Sequence, residues 1–269
     1  MPSERCDRAL TSEVYACGAD AYDDAWSPVI LPPAVSVVRA LDLGDAIRIV
    51  DVGAGTGAVA PALRAAAPHA VVISADPARE MLRVAHERRK VTGVLADALA
   101  LPLAPATVDA VLMAYVLFML DDPSSGLAEA TRVLCPGGRV GTVTWASEEP
   151  SSAARRWDET LEELGVPPLA AHSNHTGLDT VEAIDSLLDA AGLTKRRVWQ
   201  ETIEHRFTPE HFWHLRTQHG TGKLRLDGLE TDRRADALGE LRRRLASCAP
   251  SDYQFRGALV CSVSAKPTA

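Results

Sequence analysis

The sequence lacks several features that would place a protein in a particular functional class. Its five cysteines are scattered and none forms a C-x-x-C pair, so neither a zinc site nor a disulfide framework is indicated. Positive charge is in deficit, since the net charge is −8, and this argues against general nucleic-acid binding. The longest apolar stretch, 108–120, is interrupted by Asp109 and is too short to span a bilayer.

Other absences bear on location and partners. Residues 1–10 contain no apolar segment of the kind found in signal peptides. We therefore expect a cytoplasmic protein that acts on a small molecule and binds no membrane, nucleic acid or metal. The basic run 88–90 has acidic neighbours, so we interpret it as a solvated helix end. The oligomeric state stays open, with a homodimer as one option.

Strand and helix patterns alternate between Ile47 and Trp145. Short apolar runs are separated by amphipathic helices, which predicts a parallel sheet with helices on both faces. Strands are predicted over 49–52, 71–75, 91–96, 108–113 and 139–145, with two more near 196–207 and 255–265. A helix is predicted over 34–43, after a segment interrupted by Pro28, Pro32 and Pro33.

The first predicted strand runs directly into a glycine-rich loop, with the sequence VDVGAGTG over 50–57. Glycines let the backbone approach a ligand closely, and the helix that follows begins with free N–H groups. A dinucleotide fingerprint needs G-x-G-x-x-G. Here Gly57 comes one residue early, although Ala58 fills the last position acceptably. The loop indicates a nucleotide-like ligand without identifying it.

Two acidic residues end later strands, and the topology should bring them to the same edge of the sheet. Asp76 can accept hydrogen bonds from ribose hydroxyls, or it can cap the helix that starts at Pro77. Asp97 can accept a hydrogen bond from an adenine amino group, or it can satisfy nearby backbone N–H groups. Both carboxylates therefore have a ligand role and a local role open to them.

Taken in order, these motifs resemble those of class I (Rossmann-like) S-adenosylmethionine-dependent methyltransferases of the small-molecule type. That group includes the ubiquinone/menaquinone C-methyltransferases. The glycine loop is similar to their E/D-x-G-x-G-x-G motif, and Asp76 stands at their acidic position. Three further motifs are matched by DALALPL (97–103), VDAVL (108–112) and RVLCPGGRV (132–140). The resemblance covers roughly residues 47–145.

The resemblance implies both a fold and a cofactor. The fold is α/β, a Rossmann-like seven-stranded, mostly parallel sheet with one antiparallel strand, helices on both faces and a helical lid. The cofactor is S-adenosyl-L-methionine. The implied contacts are the loop residues Gly53, Ala54, Gly55 and Gly57 at the methionine part, Asp76 at the ribose, Asp97 and Ala98 at the adenine, and Tyr115 beside the sulfonium. Asp51, Pro77 and Met81 are the further implied cofactor-binding residues.

We divide the chain into four segments. They are an N-terminal helical cap segment (1–45), the cofactor-binding core (46–146), a substrate lid insertion (147–193) and the C-terminal part of the core sheet with a helical insertion (194–269).

No catalytic base can be transferred from the resemblance. Many relatives carry V-L-H-H-L after the fourth strand, whereas this chain has VLFML over 116–120. The remaining catalytic candidates are His172, His175, His211 and Tyr22. A histidine titrates near working pH, which suits a general base, but most of these histidines are better explained as surface or packing residues. Tyr22 either folds over the cofactor or anchors an N-terminal helix.

The predicted function is methyl transfer from S-adenosylmethionine to a small, apolar or aromatic acceptor. The Ala- and Arg-rich composition suits a natural-product enzyme of secondary metabolism. One alternative is a protein of this fold that does not methylate, such as a cyclase or a regulator. Another is an NAD(P)-dependent oxidoreductase, which the glycine spacing and the lack of a clear Y-x-x-x-K motif disfavour.

Overall fold

The computed structural model describes residues 15, 17–169 and 177–268, so the candidates His172 and His175 lie outside the described residues. The elements in chain order are α1 (Ala19–Ala25), α2 (Ser27–Ala40), β1 (Arg48–Val52), α3 (Ala60–Ala66), β2 (Val71–Asp76), α4 (Arg79–Arg89), β3 (Thr92–Leu95), β4 (Val108–Ala114), α5 (Pro123–Val133), β5 (Leu134–Glu149), α6 (Ser152–Glu163), α7 (Val181–Ala190), β6 (Thr194–Arg206), α8 (Pro209–Gln218), α9 (Gly220–Asp227), α10 (Thr231–Leu245) and β7 (Gln254–Ala265).

All seven strands form one sheet, in the order β3-β2-β1-β4-β5-β7-β6. The strand pairs from β3 to β5 are parallel, whereas β7 runs antiparallel to both β5 and β6. This confirms the predicted seven-stranded α/β sheet with one antiparallel strand. Because parallel strands share a direction, the carboxyl ends of β1 to β4 meet at one edge of the sheet, where ligands bind in open α/β folds.

Alternate residues of the strands pack against opposite layers of helices. On β4, Ala110 and Leu112 belong to the same apolar cluster as Val37 of α2. Their neighbour Val111 belongs to a second cluster that includes Leu127 of α5. All five side chains are fully buried. A strand covered on both faces reads as a continuous apolar run, which is why the sequence reveals it.

The predicted helix at 34–43 is wrong in its bounds, because α2 begins at Ser27 and ends at Ala40. The helix runs through Pro32 and Pro33, which lack the N–H groups that normally bond to the preceding turn. Burial of five side chains along this helix offsets the lost hydrogen bonds; they are Val29, Pro33, Ala34, Val37 and Val38. Tertiary packing therefore overrides the local signal.

A helical cap is assembled from distant parts of the chain. It comprises α1, α6 and the three helices between β6 and β7, namely α8, α9 and α10. Trp157 of α6 is fully buried, and its ring meets Phe212 and Trp213 of α8 edge-on at 6.3 and 5.6 Å. The sequence did not predict α9, which begins at Gly220.

Helix α7 lies outside this cap, although the sequence placed it in the lid insertion. Its Ile184 and Leu188 are fully buried in the cluster that also holds Val260 of β7. The helix therefore flanks the sheet. In the described part of the chain, no helix combines the length and apolarity needed to cross a bilayer.

Candidate active site

A cavity of about 280 Å³ lies at the carboxyl edge of the sheet, where β1, β2 and β4 end. Helices α1 and α2 contribute its other wall through Tyr22, Ile30 and Leu31, among others. The structure brings ten of the eleven expected cofactor residues to this cavity. They are Asp51, Gly53, Ala54, Gly55, Asp76, Pro77, Met81, Asp97, Ala98 and Tyr115.

The glycine loop between β1 and α3 depends on backbone angles that favour glycine. Gly53, Gly55 and Gly57 have φ values of +65°, +54° and +73°. A Cβ on Gly53 would lie 2.4 Å from Cγ2 of Val116, whereas one on Gly55 would meet nothing within 4 Å. Gly57 does not line the cavity, and a Cβ there would press on Ala85 of α4 at 3.1 Å. Its role in the structure is close packing.

The loop amides are engaged within the protein. Gly53 N and Ala54 N both donate to the carbonyl of Ala75, at 2.7 and 3.1 Å. Gly55 N donates to Oδ2 of Asp76 at 2.8 Å. The sequence led us to expect free N–H groups at the start of the following helix, and these three amides precede that helix. This part of the loop presents a shaped backbone surface, and side chains must supply the polar contacts.

Asp76 ends β2 and joins the glycine loop to α4. Besides Gly55 N, the carboxylate accepts a hydrogen bond from Ala78 N at 2.8 Å through Oδ1. Burial raises the pKa of Asp76, and the two backbone donors oppose that rise. Each oxygen keeps a second acceptor position, so the local role found here leaves room for a ribose hydroxyl.

Asp51, near the end of β1, is a buried carboxylate in the cavity wall. It is 2% exposed, and its Oδ2 has no hydrogen-bond partner. Burial, and after it the negative charge of Asp76, raises the pKa of Asp51 to about 7. A buried oxygen without a donor is costly, so a cationic donor placed in the cavity would relieve that cost.

Asp97 stands at the third acidic position, just after β3. Its side chain is exposed, it lines the cavity, and Oδ1 accepts a hydrogen bond from Leu99 N at 2.9 Å. The backbone-satisfying role that the sequence left open is therefore present. Ala98 beside it is 8% exposed and supplies an apolar surface.

Three tyrosines surround the remaining wall. Tyr115 follows β4 with φ +62°, which is rare for a bulky residue, and its hydroxyl donates to the carbonyl of Ile30 at 2.9 Å. Tyr15 and Tyr22 also line the cavity, with ring centroids 5.8 Å apart. Burial raises the pKa of Tyr15 to about 12, and that of Tyr22 rises well above 10. Both phenols are protonated at neutral pH.

The described histidines do not line the cavity. His211 is exposed on α8. His219 packs behind the wall, with its ring 5.1 Å from that of Tyr22, and burial lowers its pKa to about 4. Its imidazole is therefore neutral at pH 7 and is separated from the cavity by Tyr22.

Comparison with known proteins agrees with this geometry. The family described as "Methyltransferase domain" matches residues 50–141. A demethylmenaquinone methyltransferase of Clavibacter sepedonicus is 32% identical over 188 residues, which cover 64% of this chain and 73% of that protein. This chain belongs to the class I S-adenosylmethionine-dependent methyltransferases. The residues that match the family begin within β1 and end within β5.

Two further similarities show how far the likeness reaches. A ubiquinone/menaquinone biosynthesis C-methyltransferase of Desulfotalea psychrophila is 42% identical over 106 residues, which are 38% of this chain and 43% of that protein. Several curated relatives are likewise matched over less than half of their length. The structure of a methyltransferase from Aquifex aeolicus matches with a TM-score of 0.51 and 23% identity, and the match covers 67% of this chain and 89% of that one. At this identity it supports the fold.

The cavity of this methyltransferase fits its family's cofactor, S-adenosylmethionine. The unpartnered Oδ2 of Asp51 suits the cationic amino group of the methionine part. Any other amino acid at position 55 would place a side chain in the open space beside Gly55. Asp76 retains acceptor capacity for ribose hydroxyls.

The sequence placed residues 1–45 in an N-terminal helical cap segment but identified none of the α2 residues that line the cavity. Ile30, Leu31 and Ala34 line the cavity, as does Ser27. The only available signal was helical spacing, and the prolines at 32 and 33 obscured it. The position of α2 against β5, β6 and β7 is a tertiary feature that local patterns do not carry.

Proposed function

We propose that this methyltransferase transfers the methyl group of S-adenosylmethionine to a small, uncharged and largely apolar acceptor. The observation that carries the proposal is that two unlike sets of residues line one cavity. The first part of the lining is the carboxylates Asp51, Asp76 and Asp97, and the second is apolar and phenolic side chains.

In the first part, we propose that Asp51 pairs with the methionine amino group, Asp76 accepts from the ribose, and Asp97 with Ala98 holds the adenine. When bound, the cofactor supplies an electrophilic methyl group on a sulfonium sulfur, which an acceptor atom displaces in line. The protein contributes by positioning and by excluding water. The burial of Asp51 and Asp76 suits this task, because charges in a dry site act strongly.

In the second part, Ile30, Leu31, Ala34 and Met119 line the cavity next to Tyr115. No lysine, arginine or histidine occurs among the described lining residues. An anionic acceptor would thus meet carboxylates in the cavity wall and no cationic side chain of the protein to pair with, which is unfavourable. A neutral, apolar molecule buries surface without that cost.

The protonation states restrict the chemistry further. The phenols of Tyr15 and Tyr22 are protonated at neutral pH, so they can donate hydrogen bonds to an acceptor but are poor general bases. The acceptor should therefore be nucleophilic by itself. A hydroquinone meets this requirement, because its own hydroxyl group makes the ring carbon electron-rich. When that carbon takes the methyl group, the bond from sulfur to methyl breaks and the ring carbon releases its proton.

The names of two relatives point the same way, since both are quinone-pathway methyltransferases. We therefore propose a reduced quinone or a similar aromatic small molecule as the first acceptor class to test. An aromatic natural product has the same chemistry and belongs in the same panel.

Cofactor binding is tested by calorimetric titration of the purified protein with S-adenosylmethionine, and with NAD as a control ligand. Asp76→Ala should weaken binding at least tenfold, because it removes a buried charge-assisted acceptor. Asp109→Ala is the matched control. Oδ2 of Asp109 also accepts two backbone N–H bonds, from Ile47 and Arg48 at 2.8 and 2.9 Å, but the residue does not line the cavity. Tighter binding of NAD than of S-adenosylmethionine would contradict the proposed site, as would an equal loss of affinity for S-adenosylmethionine in both variants.

Acceptor chemistry is tested by incubating the protein with S-adenosylmethionine and neutral or anionic aromatic acceptors. We expect methylated product and S-adenosylhomocysteine, in a one-to-one ratio, from neutral hydroquinones and not from carboxylated analogues. A product of unchanged mass, with the cofactor intact, would instead support the cyclase alternative. Turnover of the anionic analogues at equal rates would refute the charge argument.

A further inference from the structure

Helix α1 is fastened to α4 by a cluster of ion pairs. Arg88 pairs with Asp20 at 2.8 Å and with Asp23 at 2.9 Å, and Arg83 pairs with Asp20 at 2.7 Å. Arg89 pairs with Asp23 at 2.9 Å. The sequence predicted a solvated helix end at residues 88–90; α4 does end at Arg89 and Arg88 is exposed, but both guanidinium groups also pair with carboxylates of α1. Because the partners lie far apart in the sequence, local patterns do not predict this contact.

One member of the cluster differs from the others in burial. The side chain of Asp23 is 3% exposed, whereas that of Asp20 is 53% exposed. Exposed ion pairs contribute little to stability, while a buried carboxylate with two guanidinium partners is costly to disturb. Asp23 is thus held in one place with its charge balanced by Arg88 and Arg89.

Asp23 also reaches the glycine loop. The hydroxyl of Thr56 donates to Oδ1 of Asp23 at 2.6 Å, and Thr56 is 1% exposed. Arg89 closes the connection from the other side, since its Nη1 donates to the carbonyl of Thr56 at 3.0 Å. Ser27 Oγ lies 3.2 Å from the same hydroxyl. Hydrogen bonds therefore hold Thr56 through both its side chain and its backbone.

Thr56 is the residue between the two glycines Gly55 and Gly57, both of which have positive φ. Glycine loses more conformational freedom on ordering than other residues, so a loop built from it needs an external restraint to hold one shape. Asp76 restrains the loop at Gly55 N, and the Asp23 contact restrains it one residue later.

We propose that Asp23 is a positioning residue for the cofactor loop, acting through Thr56, and that α1 thereby completes the cofactor site. The loop reaches its binding shape only when α1 is seated. Pre-ordering in this way increases affinity because less freedom is lost on binding. The inference rests on the proposed function, since it assumes that this loop binds S-adenosylmethionine.

The alternative is that Asp23 merely anchors α1. Thr56→Val separates the two roles, since it deletes the hydroxyl and leaves the pairing of Asp23 with Arg88 and Arg89 intact. Thr56→Ser keeps the hydroxyl and is the rescue variant. Arg83→Gln is the matched control, because it weakens the α1 anchor at Asp20 without touching Thr56.

The experiment has two measurements. The first is residue-resolved amide exchange without ligand, at Gly55 N and Gly57 N, whose bonds to Asp76 and Ala54 persist only while the loop is ordered. The second is the dissociation constant for S-adenosylmethionine by calorimetry. In Thr56→Val we expect about tenfold faster exchange at both amides and about tenfold weaker binding, as loss of a hydrogen bond to a charged group predicts. Thr56→Ser and Arg83→Gln should stay within about twofold of the wild type.

Equal exchange in Thr56→Val and the wild type would overturn the inference, as would an equal effect of Arg83→Gln. Should Thr56→Val fail to fold, Arg89→Gln carries the same test, because it removes the donor to the carbonyl of Thr56 and one partner of Asp23. Failure of the wild type to bind the cofactor would refute the proposed function alone, since the exchange measurement needs no ligand.

Discussion

Replacing Asp51 by asparagine should make the ligand-free protein more stable at alkaline pH while weakening its cofactor site. The carboxyl is 2% exposed, one oxygen has no partner, and Asp76 adds a like charge nearby. An uncharged amide of similar shape avoids the cost of holding a buried negative charge. Function and stability are opposed at this residue, as is common where a site awaits a charged ligand.

The magnitude follows from the pKa of Asp51, which rises from 3.8 to about 7 on folding. The folded state binds this proton more tightly than the unfolded state, so the contribution to stability is complete below pH 3.8 and is lost as pH rises through 7. At about 1.4 kcal/mol per pKa unit, the full loss is about 4 kcal/mol. About 3 kcal/mol of it falls between pH 5 and pH 8.

The assay is urea unfolding of the ligand-free wild type, Asp51→Asn and Asp97→Asn at intervals from pH 5 to pH 8. The free energy of unfolding of Asp51→Asn should gain about 3 kcal/mol on the wild type across this range. Asp97→Asn is the control, because Asp97 lies at the same edge of the sheet but is exposed. In Asp51→Asn, binding of S-adenosylmethionine should weaken at least tenfold. A stability difference that does not change with pH would refute the account of Asp51.

Two smaller changes test the geometry around the cavity. Gly53→Ala should destabilise the protein by about 3 kcal/mol or more, because the new Cβ would combine a positive φ with overlap on Val116. Gly55→Ala should cost about 1–2 kcal/mol, because only its positive φ is unfavourable. Equal losses of stability in thermal unfolding would contradict the close contact at Gly53. Tyr115→Phe should cost about 1 kcal/mol, because it removes the hydrogen bond to the carbonyl of Ile30. A neutral result in chemical unfolding would show that this bond contributes nothing.

Local sequence patterns predicted much of the fold. The parallel strands β1, β2 and β4 are short, largely apolar runs, because both faces of the sheet are mostly buried there and few positions can be polar. The glycine loop was equally clear, since three glycines at positive φ leave a distinctive spacing after a buried strand. Those signals concern residues close together in the chain, and the family resemblance covered the same region.

The tertiary structure decided what distant segments contribute. Proline at 32 and 33 argued locally against the helix that α2 forms, and packing of α2 on the sheet overrode that signal. The Asp23 carboxylate meets Arg88 and Thr56 only because α1 folds back across the loop. The unpartnered oxygen of Asp51 is likewise a product of burial. A sequence determines which residues can form strands, turns and caps, whereas partners, burial and shifted pKa values depend on which surfaces the whole chain brings together.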